Sequence, residues 1–271
     1  MSSLCSPLFW RDPRMPHVEL RVIHDAREIC YAPHSHEHWS LGAVTAGRST
    51  FQYGEATYSI RAGDLVLMNP HWVHACNPVS GEAWAYLMLY VDTPWLTELR
   101  FKAGLLSSPD WLDFTTAVVS EPRLYANYQH MAACLLSQQS TAEKQATLVN
   151  YLLEVMHALE PASDSETRRI PEGLQAVADY LNTHAGCDIS LEQLCRFSGY
   201  STGHLIRAFK QHYGLTPHAY LINRRVQLGQ HELKQGKTIA AAALDAGFND
   251  QPHFQRTFKR LVAATPNQYR Q

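Results

Sequence analysis

No two cysteines of this sequence stand at the Cys-x-x-Cys spacing of a zinc ribbon or a dithiol redox site. The six present, at positions 5, 30, 76, 134, 187 and 195, are scattered, which fits a reducing compartment and not a disulfide frame. No apolar run reaches the ~18 residues that a membrane span needs. The first residues lack the long apolar core of a secretory signal, so a cytoplasmic location is expected. Nucleophile motifs and glycine-rich phosphate loops are missing as well. Neither a catalytic residue nor a cofactor is therefore expected. Net charge is nearly absent, with 23 Lys and Arg against 25 Asp and Glu.

What is present points to two domains. A chain of 271 residues with 45% hydrophobic content can bury two ordinary cores. The charge is unevenly shared. Residues 171–271 hold eleven Lys and Arg against seven Asp and Glu, a net +4, and the first 170 hold twelve against eighteen, a net −6. A basic second half joined to an acidic first half suits nucleic-acid binding by one domain only. A +4 excess over a hundred residues is also an ordinary surface, so the argument passes to the sequence pattern.

That second half contains one motif written twice. Leu191, Gly199 and Tyr200 recur 48 residues later as Ile239, Gly247 and Phe248. Beyond the turn the offset is 49: Leu205, Arg207, Phe209, Pro217 and Tyr220 recur as Phe254, Arg256, Phe258, Pro266 and Tyr269. A fixed period with matched apolar and turn positions means two copies of one supersecondary unit. Ser190 with Gln193 fits a capping box, and two short helices joined by a glycine turn make a helix-turn-helix. Leu205, Ala208, Phe209 and His212 form the inner stripe of one second helix, and Phe254, Phe258 and Leu261 that of the other. The opposite faces carry Gly203, Ile206, Arg207 and Lys210, then Gln251, Gln255, Arg256 and Lys259. Arg and Gln are side chains that read base edges in the major groove. Thr216-Pro217 starts a long helix, about 218–233, that would hold the two units at a fixed separation.

The second copy runs Gly247-Phe248-Asn249-Asp250-Gln251-Pro252-His253-Phe254-Gln255-Arg256-Thr257-Phe258-Lys259 and closes on Thr265-Pro266 and Tyr269-Arg270. At these residues the chain resembles the AraC/XylS family of bacterial transcription regulators. The resemblance implies that 172–271 is a DNA-binding domain with double-stranded promoter DNA and RNA polymerase as partners. Its candidate DNA contacts are Gly203, His204, Ile206, Arg207 and Lys210 in the first unit. In the second they are Asp250, Gln251, His253, Gln255, Arg256, Lys259 and Arg260. Arg256 and Arg207 are expected on bases, with Gln251 and Gln255 helping; Lys210, Lys259 and Arg260 are expected on phosphates. Two departures stand out. Ala263 replaces the family's usual glycine, at a cost of about 1 kcal/mol if the site needs a positive φ. Gly203 sits where many relatives carry a larger side chain, so the first recognition helix is expected to read less sequence.

From Val18 to Asp92 the text is short strands and turns: Glu28–Tyr31, Leu41–Thr45, Ser49–Tyr53, Thr57–Ile60 and Asp64–Met68, punctuated by Gly42, Gly47, Gly54, Gly63 and Asn69-Pro70. Such spacing argues for a barrel or sandwich. Residues 1–17 read as a loose arm or an unusual first strand. Ala83 to Val91 alternates with both faces apolar, so neither face can be assigned to the interior. With His34-Ser35-His36, Gly47, Gly63-Asp64-Leu65-Val66-Leu67, Pro70 and His74, the region resembles the small cupin-like sensing barrel of AraC-type proteins. The fold class expected is α+β in two domains: a cupin-like β-barrel with following helices, then an all-α domain with two helix-turn-helix units.

Three readings of the histidines remain open. His34, His36, His38 and His74 are of the commonest transition-metal ligand type. Metal-binding cupins supply a Glu a few residues after the His-x-His pair, however, and here Glu37 immediately follows His36 and would point to the other face of a strand. The second reading is a pocket lined by His34, His36, His38 and His74, with Trp39 and Trp84 as apolar walls, for a polar or anionic metabolite such as an amino acid or sugar. The third is plain packing.

The text from Thr93 to Leu159 reads as helical, with stripes Leu124, Tyr128, Met131, Leu135 and Leu148, Tyr151, Leu152, Val155, Met156, Leu159. In the resembling family, helices placed here commonly pair two subunits, which implies a homodimer. Residues 160–171 are polar and aperiodic, an evident linker. The resulting domains are 1–92, 93–159, 160–171 and 172–271. The function expected is sequence-specific regulation of transcription through a sensed small molecule. The alternative is a metal-dependent cupin enzyme with an appended DNA-binding module.

Overall fold

The computed structural model of the protein describes residues 7–79, 81–159 and 170–270. It divides into two compact units. The described residues of the first are 7–29, 36–71, 76–79 and 81–159; those of the second are 30–35, 72–75 and 170–270. The expected linker over 160–171 lies outside the described residues except for Ile170 and Pro171.

The chain opens with β1 (Leu8–Trp10), β2 (Val18–Ile23), β3 (Trp39–Ala46), β4 (Arg48–Tyr53), β5 (Ala56–Arg61), β6 (Leu65–Met68), β7 (His74–Pro78) and β8 (Ala85–Val91). It continues with α1 (Thr93–Lys102), β9 (Val118–Val119), α2 (Pro122–Leu136) and α3 (Thr141–Ala158). Six strands form one sheet in the order β1-β2-β8-β3-β6-β9, and β5-β4-β7 form a second. The paired register settles the two faces of β8. Leu20, Leu89, Leu41 and Leu67 stand in one row across the sheet. They are fully buried in a core shared with Tyr128, Met131, Leu148, Leu152 and Val155 of α2 and α3. The Tyr128 and Tyr125 hydroxyls donate to the carbonyls of Leu41 and Val44, which ties α2 to β3. The opposite row is Arg21, Met88, Gly42 and Val66. β8 is an interior strand covered on both faces, which is why its two faces look alike in sequence. Both apolar helix stripes pack within their own unit.

Three expected elements differ. Residues 28–31 form no strand; the backbone turns there and residues 30–35 belong to the second unit. The stretch 93–159 is not continuously helical. α1 stops at Lys102, Gly104 takes φ +75°, and an irregular segment with β9 precedes α2. β3 starts at Trp39, two residues before the expected Leu41, and His34, His36 and His38 all precede it.

The second unit is helical: α4 (Glu172–Thr183), α5 (Leu191–Ser198), α6 (Thr202–Tyr213), α7 (Pro217–Lys234), α8 (Ile239–Asp245), α9 (Gln251–Val262) and α10 (Pro266–Tyr269). The Ser190/Gln193 capping box starts α5 and the Thr216 hydroxyl accepts from the Ala219 amide at the start of α7. Gly199 and Gly247 take φ +73° and +77° in the two turns, where a left-handed backbone favours glycine. α4, α5 and α6 close around Leu174, Leu181, Leu194, Leu205 and Phe209. Phe254 and Phe258 are fully buried in the second copy, with ring centroids 5.3 Å apart. Asn223, only 3% exposed in the middle of α7, is satisfied by Ser35: its amide donates to the Ser35 carbonyl at 3.0 Å and lies 3.2 Å from Ser35 Oγ.

Ala263 ends α9 in the left-handed region at φ +52°, ψ +29°, where Gly214 ends α6 at φ +73°. The turn keeps its geometry although the residue is not glycine, because the flanking helices fix it. Ala263→Gly relieves the Cβ clash and is expected to stabilise by up to about 1 kcal/mol. Calorimetry of the full chain checks this; an unchanged or lower midpoint would show that the added unfolded-state freedom of glycine offsets the relief.

Candidate DNA-reading helices and ligand-sensing residues

The repeat puts α6 and α9 in equivalent roles, and their exposed faces can be compared residue by residue. Arg207 and Arg256 are both exposed, as are Lys210 and Lys259. Among the described residues none of these four forms an ion pair with Asp or Glu; the cationic face is uncompensated. Gly203 is exposed, and a Cβ built on it would stand 3.5 Å from Arg207 Nη1, so the guanidinium lies back over the glycine. His204 stacks on Tyr200 with ring centroids 4.9 Å apart and planes 4° apart. His253, its counterpart, meets Phe248 edge-on at 5.3 Å. Gln251 and Gln255 are half-buried, Ile206 likewise, and Arg260 is exposed. Asp250 acts within its own helix. Its carboxylate accepts from the His253 amide at 2.6 Å and caps α9.

The six residues expected to line a pocket divide between the two units. His34 and His74 belong to the second unit, whereas His36, His38, Trp39 and Trp84 belong to the first. His34 and His74 form an isolated antiparallel bridge, with mutual backbone hydrogen bonds of 3.1 and 2.8 Å and ring centroids 4.5 Å apart. Their Nδ1 atoms lie 2.9 Å from the carbonyls of Ala32 and Trp72. His36 has Nδ1 at 2.8 Å from the His38 carbonyl and Nε2 at 3.3 Å from Ser40 Oγ, and its ring meets Tyr90 edge-on at 5.3 Å. Trp39 is fully buried beside Phe114, with centroids 6.2 Å apart. Trp84 donates its indole N–H to the Ala26 carbonyl and stacks on Tyr86. Among the described residues no group of three His, Cys, Asp or Glu is placed to hold a metal ion.

Sequence reasoning missed the polar lining beside His36. Ser40 and Tyr90 are register partners on the same sheet face, with Tyr86 further along it. Arg21, fully buried in β2 two residues after the half-buried Glu19, stands in the row of Met88. The alternation of β8 displayed Tyr86 and Tyr90 on one face, and an arginine inside Val18–Ile23 was a signal too. What was missing was the pairing that says which face is which.

His74 is fully buried, and burial pushes its pKa down to about 4, against a smaller upward pull from the Trp72 carbonyl. The ring is therefore neutral near pH 7 and offers a donor and an acceptor, not a cation. An unfolded chain titrates its histidines near 6.5. Below that pH the unfolded state takes up a proton that the folded state refuses, so stability falls as pH drops from about 6.5 to about 4. By pH 5 the loss due to His74 is about 2 kcal/mol. Urea unfolding at pH 7.5 and 5.0 measures it. His74→Gln is expected to lose about 2 kcal/mol less across that interval than the parent, and an equal loss would place the acid sensitivity elsewhere.

Residues 17–156, just over half of the chain, match the family of AraC-like ligand binding domains, and residues 194–271 match a helix-turn-helix domain family. The chain belongs to the AraC family of transcriptional regulators. It is 29% identical over 222 residues to the HTH-type transcriptional regulator YbfI of Bacillus subtilis, covering 81% of this chain and 80% of that one. It is 22% identical over 237 residues to the lactose operon transcription activator of Staphylococcus xylosus, covering 85% and 82%. The fold is similar to that of unsaturated fatty acid bound ToxT from Vibrio cholerae, with a TM-score of 0.58 at 12% identity, covering 98% of this chain and 92% of that one. An apo ToxT variant gives a TM-score of 0.60 at 11% identity, covering 94% and 97%. AraC-family regulators pair a ligand-binding domain with a DNA-binding helix-turn-helix domain and are not enzymes, so the metal-dependent cupin enzyme is set aside. Among the described residues no helix is long and apolar enough to cross a membrane.

Proposed function

We propose that this protein binds promoter DNA with α6 and α9 in successive major grooves, roughly 34 Å apart on one face of the duplex, and that a small polar molecule held by the β-sheet unit sets its affinity for that DNA. The observation that carries the DNA reading is the uncompensated cationic face at equivalent positions of both helices, Arg207 with Lys210 and Arg256 with Lys259. Arg207 and Arg256 suit base edges, and Lys210, Lys259 and Arg260 suit phosphates. The sensing reading rests on His36 with Ser40 and Tyr90, polar groups at the sheet face that also carries Arg21 and Tyr86. One relative is named for a lactose operon, and one fold neighbour is seen with an unsaturated fatty acid. The polar lining here favours an amino acid or a sugar. A ligand changes DNA affinity only if it prefers one of two states of the protein.

The same reading includes a homodimer, contact with RNA polymerase at the promoter and a cytoplasmic location. Since the inner stripes of α2 and α3 are used within the chain, a dimer would form through their outer surfaces, where Leu136 is exposed. A thermal-shift screen of metabolites on the full chain finds the ligand, which raises the midpoint by mass action. A DNA titration with and without that ligand then tests the function. A ligand that stabilises the protein and leaves DNA affinity unchanged counts against sensing; equal affinity for promoter and random DNA counts against specific regulation.

A further inference from the structure

The two recognition helices carry different reading chemistry, and the repeat makes the difference countable. With an offset of 49 residues, His204 matches His253, Arg207 matches Arg256 and Lys210 matches Lys259. The copies diverge at four positions of the outward face: Thr202 against Gln251, Gly203 against Pro252, Ile206 against Gln255, and Gln211 against Arg260. In α9 two glutamines therefore stand beside the arginine. In α6 their places are taken by a threonine whose Oγ1 sits 3.6 Å from Cys195 Sγ, and by an isoleucine with no hydrogen-bonding group. Gly203 leaves the space over which the Arg207 guanidinium lies.

Each side-chain type has a distinct partner in the major groove. Gln pairs with the N6 and N7 of adenine, Arg with the O6 and N7 of guanine, and an apolar side chain packs on the thymine methyl. We propose that the DNA site of this protein is asymmetric: the α9 half-site selects adenines beside a guanine through Gln251, Gln255 and Arg256, and the α6 half-site selects a guanine beside a thymine through Arg207 and Ile206. This rests on the reading that α6 and α9 bind DNA. Ile206 and Gln255 are the residues that make the halves differ, and Gly203 is a positioning residue for Arg207. Each well-made base contact discriminates by roughly 5- to 150-fold, so sequence preference is concentrated in the α9 half.

The test is selection of sequences from a random duplex library by the full-length protein, repeated with Ile206→Gln and Gln255→Ile. The parent is expected to recover an adenine-and-guanine half-site and, about one helical turn of ten base pairs away, a shorter half-site with a guanine next to a thymine. Ile206→Gln should turn the thymine preference of the short half-site into adenine and leave the other half unchanged. Gln255→Ile should turn one adenine position of the long half-site into thymine. Both positions are half-buried, and an unchanged thermal midpoint confirms that each variant folds. Two half-sites of equal information content, or swaps that leave every preference unchanged, overturn the asymmetry although DNA is bound. Recovery of no sequence above the random pool from a well-folded chain overturns the DNA-binding reading together with it.

Discussion

Arg256→Ala is expected to weaken binding to the selected DNA site by about 1–3 kcal/mol, roughly 5- to 150-fold, and to leave binding to random DNA within a few-fold of the parent. The guanidinium is exposed on α9, and among the described residues no Asp or Glu is paired with it, so its removal breaks no internal ion pair of the fold. A bidentate arginine–guanine contact exists only on the right sequence. Its loss should therefore fall on the specific complex and relax preference at one base pair. Lys259→Ala makes the contrast. A phosphate contact is sequence-blind, so affinity should fall on both DNAs and the salt dependence should drop by about 0.9 in the log–log slope. Titrations of both variants on both DNAs at three salt concentrations separate the roles. Equal losses for Arg256→Ala on specific and random DNA would make it a phosphate contact and move base reading to the glutamines.

The C-terminal unit was legible because its information is local. Helix period, caps and turn glycines sit within a few residues of one another: Ser190 with Gln193, Gly199, Thr216 with Pro217, Gly247. Written twice, they confirm each other. Even the exception at Ala263 was readable, since the matched Gly214 announces the backbone that Ala263 must adopt. The β-sheet unit was legible only as strands. Whether Tyr86, Met88 and Tyr90 or Leu87, Leu89 and Val91 face the helices depends on β8 lying between β2 and β3, and no local pattern states that order. The backbone setting of the histidines was hidden for a related reason. His34, His36 and His38 carry the period of a strand, but His34 pairs in a single bridge with His74 and the strand begins only at Trp39. Asn223 shows the limit most clearly: a buried polar residue in mid-helix demands a partner, and the partner is Ser35, 188 residues earlier in the chain.

The largest stability effects are expected at one contact between α7 and α9. Phe254 is fully buried, with Phe248 and Phe258 edge-on at 5.1 and 5.3 Å. Its ring lies against Gly229, where an added Cβ would stand 2.5 and 2.7 Å from two ring carbons. Phe254→Ala removes the ring and leaves a void, at a cost of about 3–5 kcal/mol. Gly229→Ala sets two effects against each other. Alanine gains about 0.5–1 kcal/mol of helix propensity over glycine, while overpacking a closed core costs about 1–3 kcal/mol. The clash should win, because the ring is fully buried against two other phenylalanines. It should also weaken specific DNA binding, since Gln255 and Arg256 follow Phe254 directly and move with it. The double variant is the decisive measurement. With the ring gone, the new methyl enters the void, so Gly229→Ala/Phe254→Ala should be more stable than the sum of the single losses by about 1–3 kcal/mol. Urea unfolding of the parent and the three variants closes the cycle, and additive losses would mean that helices α7 and α9 relax apart and that the glycine is no spacer for the ring.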